Sequence, residues 1–345
     1  MRSSSSINVW EIFIRTHIEY KSLPLNPPFL SFLSIIYIYA MNKKYCAPGT
    51  YDSKNDTCFT DQQVRQIAEG YNAYIFKNKL SPGNLSNKRG GKGPIVTLIE
   101  IKSDKKYLLN ELRERFHNVC NGSDLCLSKQ EFMNNIVSSE YEKIVSTSFR
   151  PEGPEKAREW LSTSDIDQVM KQYENVYKDF KFMGAVPSDC SDVSYCALST
   201  TNYDALIKKG IKRVGIIFNH DKHNQNGSHW VGTFIDLSKA KFYYCDSTGS
   251  KPVAGIKRFV ESVRQFFDSK GLKMSYKENS NKYQKDNSEC GIYSCNFIIR
   301  MLAEESFEDI TSNPLDFSEI NLCRNVYFSN EPVKKKDKAS KKCDP

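Results

Sequence analysis

The chain has 345 residues, enough for one good-sized core and more readily two domains of unequal size. Its 49 basic residues against 41 acidic ones give a formal charge of +8, a mild excess that permits nucleic-acid or acidic-surface contact without requiring it. Eleven cysteines are too dilute in a chain of this length to define a small disulfide scaffold, and reduced thiols in a cytosol-like compartment are the plain expectation.

The first 40 residues contain an apolar run, Phe29 to Met41, interrupted by serines. It is about half to two-thirds of what a spanning helix needs and lies too far in for a signal peptide. A start at Met41 explains it as well as an anchor does, so no firm membrane association is expected, and 1–40 reads as a variable leader. "TDQQVRQIAEGYNAYIFKNKL" (60–80) opens on a Thr/Asp cap and places Val64, Ile67, Ala68, Tyr71 and Ile75 at helical spacing. "SPGNLSNKRGGKGP" (81–94) ends that helix in a loop whose basic residues sit among glycines. "KKYLLNELRERFHNVC" predicts a second helix, and "LSKQEFMNNIVSSEYEKIV" a third, opened by Ser128 with Glu131 three residues on. Residues 41–150 therefore read as a small helical domain. Its pairs Cys46/Cys58 and Cys120/Cys126 match no standard zinc-knuckle spacing, and neither does Cys190/Cys196 further on.

Arg150 to Pro154 is a linker candidate, followed by a helix that Ser162 or Thr163 can cap. Beyond it the period changes. "KRVGIIFNH", "HWVGTFIDL" and "AKFYYCDS" predict three short strands, and "VAGIKRFVESVRQFFDSKG" and "GIYSCNFIIRMLAEE" two helices. That order suits an α+β domain over 155–330, with a central sheet flanked by helices. The run Lys334 to Lys342 reads as a flexible basic tail within 331–345.

Chemically complementary groups stand at the element ends. His229 opens one strand, Asp246 closes the next, and Gln284 leads into Cys290 at a solvent-facing helix start. If the two strands form a hairpin through "DLSKAK", Asp246 lies beside His229 and can orient its imidazole toward a thiol. Cys290 then gains an imidazolium and a helix N-terminus, both of which favour a thiolate. Gly291 leaves room for a substrate carbonyl, and the Gln284 amide with the Cys290 backbone N–H can receive an oxyanion. Cys295, a turn deeper, reads as a structural thiol. His220 and His223 could join His229 as metal ligands, but their Asn-rich loop offers no partner on a rigid element, so neither metal nor cofactor is expected.

The pattern "HW", then aspartate in "CDS", then Q-x5-C-G-I-Y-x-C resembles the Ulp1/SENP-type cysteine protease clan, which includes adenovirus protease and the processing proteases of large cytoplasmic DNA viruses. "WLSTSDIDQVM" from Trp160 resembles the start of that catalytic domain, and the likeness runs to about Arg324. The resemblance implies a Ulp1-like α+β fold with a central mixed sheet. It further implies His229, Asp246, Gln284 and Cys290 as catalytic residues, with Trp230 and Gly291 lining the cleft. The clan often has aspartate where this chain has Glu289, which bears on subsite detail rather than catalysis. The implied activity is endopeptidase cleavage after small residues such as Gly-Gly in viral structural precursors, in virion and host cytoplasm. A SUMO or ubiquitin-like deconjugating protease is one alternative, and a catalytically inactive protein- or nucleic-acid-binding module another. The helical region before the domain does not match the regulatory regions of cellular SUMO proteases and is more like the viral enzymes.

Overall fold

A computed structural model describes residues 45–78, 97–154, 156 and 158–329, all within one compact unit, Tyr39–Pro345. The apolar leader, the basic loop at 81–94 and the tail from 331 lie outside the described residues. Among the described residues no helix is long and apolar enough to cross a membrane.

Helix α1 (Asp61–Lys77) starts where its cap predicts, with Thr60 and Gln63 forming a reciprocal capping box. The second predicted helix stops early. α2 is Lys105–Arg115, capped by Asp104, and a separate turn, His117–Cys120, follows it. The third is a correction. Ser128 ends a short helix, Asp124–Ser128, and its hydroxyl donates to the Leu125 carbonyl, so it caps nothing. A 3-10 turn, Glu131–Asn135, comes next, and α3 begins only at Ser138 and runs to Ser148. At Ile136 the backbone is extended, and its side chain packs toward Gly70, which lets Phe132, Met133 and Ile136 all reach the same core. That core is built on Val64, Ile67, Leu108, Leu112, Phe132 and Phe149.

The expectation of reduced cysteines is also corrected. Cys46–Cys58, Cys120–Cys126 and Cys190–Cys196 are disulfides, their Cα atoms 5.3, 5.3 and 5.4 Å apart, because each intervening turn folds back on itself. Nor is 150–154 a free linker. Arg150 is buried and donates to the Cys46 carbonyl, and the Pro151 carbonyl accepts from Ser329 N–H.

α4 (Thr163–Val176), capped by Ser162, leads into β1 (Phe180–Pro187), which the sequence reading missed. β2 (Arg213–Asn219), β3 (Trp230–Asp236) and β4 (Lys241–Cys245) are the three predicted strands. α5 (Ala254–Ser269), a short β5 (Ser275–Glu278) and α6 (Cys290–Leu302) follow, and the short helices Phe307–Ser312, Phe317–Leu322 and Arg324–Tyr327 come after them. The sheet order is β1-β2-β3-β4-β5, with the outer pairs parallel and the inner pairs antiparallel. Val214, Ile216, Phe218, Val231, Ile235 and Phe242 bury one sheet face against Phe259 and Val263 of α5. α6 packs on the opposite face, where a Cβ on Gly232 would stand 2.8 Å from Phe297 and 3.2 Å from the Ser294 carbonyl. This missing side chain lets the helix close on β3 and carries its first residue to the strand ends.

Candidate active site

The β3–β4 hairpin has the predicted pairing, with Gly232 opposite Cys245, so the end of β4 returns beside the start of β3. His229 Nε2 and Asp246 Oδ1 are 2.7 Å apart. Cys290 acts on the same imidazole closely enough to raise its pKa, and with Nε2 turned to Asp246 the other ring nitrogen, Nδ1, is left for the thiol. Asp246 is fully buried. Thr248 N–H and hydroxyl both donate to Oδ1 in an Asx turn, and the Asn279 side chain grips the aspartate's backbone N–H and carbonyl. Sequence reasoning missed Thr248 and Asn279, although "DSTGS" carries the signal for the first.

These contacts set the charges. Burial pulls the His229 pKa down, but the hydrogen bonds from its ring to Asp246 and Cys290 outweigh it and raise the value to about 9. Burial would push Asp246 up, whereas the imidazole and the Thr248 donors hold it below the usual carboxylate range. The unused thiols behave oppositely. Burial pushes Cys245 and Cys323 to about 12 and Cys295 higher still.

Cys290 opens α6 as expected, at a helix start without a side-chain cap, yet it is only 2 % exposed; the solvent-facing placement is corrected. Leu161 packs against the next residue, Gly291. A Cβ on Gly291 would lie 3.0 Å from Leu161 Cβ, and the Leu161 carbonyl accepts from Trp230 Nε1 at 2.9 Å. Trp230 is buried, its N–H satisfied by that carbonyl.

Gln284 is buried, its side-chain oxygen accepting from Ser247 and its amide donating to the Asp286 carbonyl at 2.6 Å. A carboxamide nitrogen carries two hydrogens, so one further donor remains for an oxyanion. Glu289, wholly buried, accepts from Asp286 N–H and the Ser288 hydroxyl, and Arg324 donates to the Ser288 carbonyl. The acid before the nucleophile thus shapes the loop between Gln284 and Cys290. His223 lies apart from this group, bonded through Nδ1 to Asp189. His220 does not: it follows β2 directly and faces Asp246, which corrects its assignment to an unsupported loop.

A thiol, a carboxylate-oriented imidazole and a carboxamide with a spare N–H are the parts of nucleophilic acyl transfer. A protein of Acanthamoeba polyphaga mimivirus named as a thiol protease is 50% identical over 301 residues, 87% of this chain and 97% of its own. The chain is a cysteine protease of the viral Ulp1-like family. The SUMO-1 cysteine protease of African swine fever virus is 23% identical over 209 residues, 54% of this chain and 74% of that one. A crystal structure of a protease from the same virus has the same fold, with a TM-score of 0.56 at 17% identity, covering 84% of this chain and 96% of that one. Residues 137–339 also belong to the family described as YopJ serine/threonine acetyltransferase. Peptide hydrolysis and acetyl transfer to a hydroxyl can both run through an acyl-cysteine, and they differ in the acyl donor and the acceptor.

Proposed function

We propose that this protease is an endopeptidase that cleaves after small residues, at Gly-Gly-x type sites, and matures viral structural precursors in the virion and host cytoplasm. Cys290 is the nucleophile, His229 the general base and then acid, Asp246 the residue that orients it, and Gln284 an oxyanion donor. The observation that carries this reading is the His229 imidazole, held 2.7 Å from the buried carboxylate of Asp246, with Cys290 close enough to raise its pKa. The thiolate attacks a peptide carbonyl, His229 protonates the departing amine, and water hydrolyses the thioester. Leu161 crowding Gly291 supports a preference for residues without bulk. Residues 155–330 carry this chemistry, and 41–150 serve protein docking or packing against it, with nucleic-acid contact the lesser alternative.

Deconjugation of a ubiquitin-like modifier is the second reading, supported by the name of the African swine fever virus relative. Parallel assays on a Gly-Gly-x precursor peptide and on a C-terminal ubiquitin-like probe separate the two. Efficient peptide cleavage without probe turnover is expected; the reverse overturns the proposal. Adding acetyl-CoA with a serine/threonine peptide tests the acyl acceptor, and no acetylated product is expected.

A further inference from the structure

One histidine at this site has no part in the acyl transfer. His220 N–H donates to the His229 carbonyl across the sheet at 2.9 Å, and the two rings stand edge to face, 4.9 Å between centroids. His220 Nε2 is 3.3 Å from the Tyr244 hydroxyl and 3.8 Å from Asp246 Oδ2. The aspartate is lopsided. Oδ1 takes His229, Thr248 N–H and the Thr248 hydroxyl, whereas Oδ2, in a side chain with no exposure, has no hydrogen-bond partner among the described residues. A buried carboxylate oxygen without a donor calls for a proton, a water or a cation.

The ligand atoms of His220, His229 and Asp246 all lie within 4.8 Å of one another. Two imidazole nitrogens and one carboxylate oxygen form a zinc-type donor set with a fourth position open. Bonds of about 2.0–2.2 Å in a tetrahedron put ligands roughly 3.3–3.6 Å apart, so small side-chain rotations suffice.

We propose that His220 Nε2, Asp246 Oδ2 and His229 Nε2 form an inhibitory site for a divalent cation of the zinc class. The inhibition, though not the binding, rests on the proposed role of His229. The ion takes the Nε2 lone pair of the neutral imidazole, whose single ring proton moves through solvent from Nε2 to Nδ1. With that proton set against Cys290, the imidazole can no longer accept the thiol's proton. The ion is a brake on the enzyme, not a cofactor. A cation bridging Cys290 and His229 Nδ1, which any Cys–His pair allows, is the competing arrangement, and His220 tells them apart.

The test uses the full chain carrying Cys290→Ala, so that neither turnover nor the active-site thiol contributes. Cobalt(II) is added and read by visible absorption, and zinc is measured by its displacement. We expect one equivalent bound with ligand-field bands and no thiolate charge-transfer band. His220→Ala in that background should weaken binding about tenfold or more, His220→Asp should restore it, and His223→Ala should match the parent. With Cys290 present and a peptide substrate, zinc should inhibit reversibly, and His220→Ala should raise the half-inhibitory concentration about tenfold. Binding abolished by Cys290→Ala, or unchanged in folded His220→Ala, overturns the site. The cobalt measurement needs no turnover, so an ion bound through His220 in a chain that cleaves no peptide supports the site and contradicts the proposed function instead.

Discussion

His229 is the residue whose charge state couples the site to pH. Its folded value of about 9 lies above the ordinary 6.5, so the imidazolium contributes stability that is complete below 6.5 and is lost as pH rises through 9. The melting temperature should decline across that window in the parent, and Asp246→Asn should flatten the decline. An unchanged slope in that variant would remove Asp246 as the cause of the shift. The free thiols give a second test at this scale. With Cys245, Cys295 and Cys323 held at about 12 or above by burial, iodoacetamide near neutral pH should label Cys290 first, as peptide mapping by mass would show. Equal labelling of all four would sink the assignment. His229, Asp246 and Cys290 were legible because their side-chain chemistry is complementary and element ends could be read from strand patterns. His220 was not, since its partner is fixed by the β2–β3 register, and "NHDKHNQNGS" reads locally as loop.

Two elements deliver Cys290 to the hairpin: α6 and the loop before it. Gly232→Ala would press a Cβ against Phe297, and overpacking of this kind costs about 1–3 kcal/mol, readable in urea melts. It should also lower kcat, because α6 and its first residue must move; stability and turnover both at parental values would contradict the close approach. In the loop, Gln284→Ala should lower kcat about 10²- to 10³-fold with little change in KM if its free amide hydrogen meets the oxyanion. A kcat within about threefold of the parent would pass that role to backbone amides. The strands with a strong apolar pattern were readable, whereas β1 was obscured by Met183 and Gly184 within "FKFMGAVP", and β5, Ser-Tyr-Lys-Glu at a sheet edge, has no aliphatic residue. The third predicted helix failed because consecutive β-branched residues, Ile136 and Val137, favour extended backbone where the helical pattern runs through them.

Across the described residues, the helical core around Val64 and Phe149 is tied to α4 of the following domain by polar bonds. Gln172 of α4 donates to the carbonyls of Ser146 and Phe149 at 3.0 and 2.6 Å, and Cys46 bridges to Phe149 through the backbone. The Cys46–Cys58 disulfide fastens this corner. Replacing both cysteines by alanine should cost about 2–3 kcal/mol, and the parent, whose three bridges all open in strong reductant, should lose at least as much there; identical urea midpoints with and without reductant would contradict a stabilising bridge. These long-range ties were invisible in the sequence, since the spacing of the cysteines says nothing about redox state and "RPEGP" looks like a linker. The central claim is peptide cleavage through an acyl-enzyme on Cys290. Acid-quenching the parent during turnover of a Gly-Gly-x peptide and mapping by mass should find the acyl group on Cys290, with none in His229→Ala; peptide hydrolysis undiminished in Cys290→Ala would contradict the account.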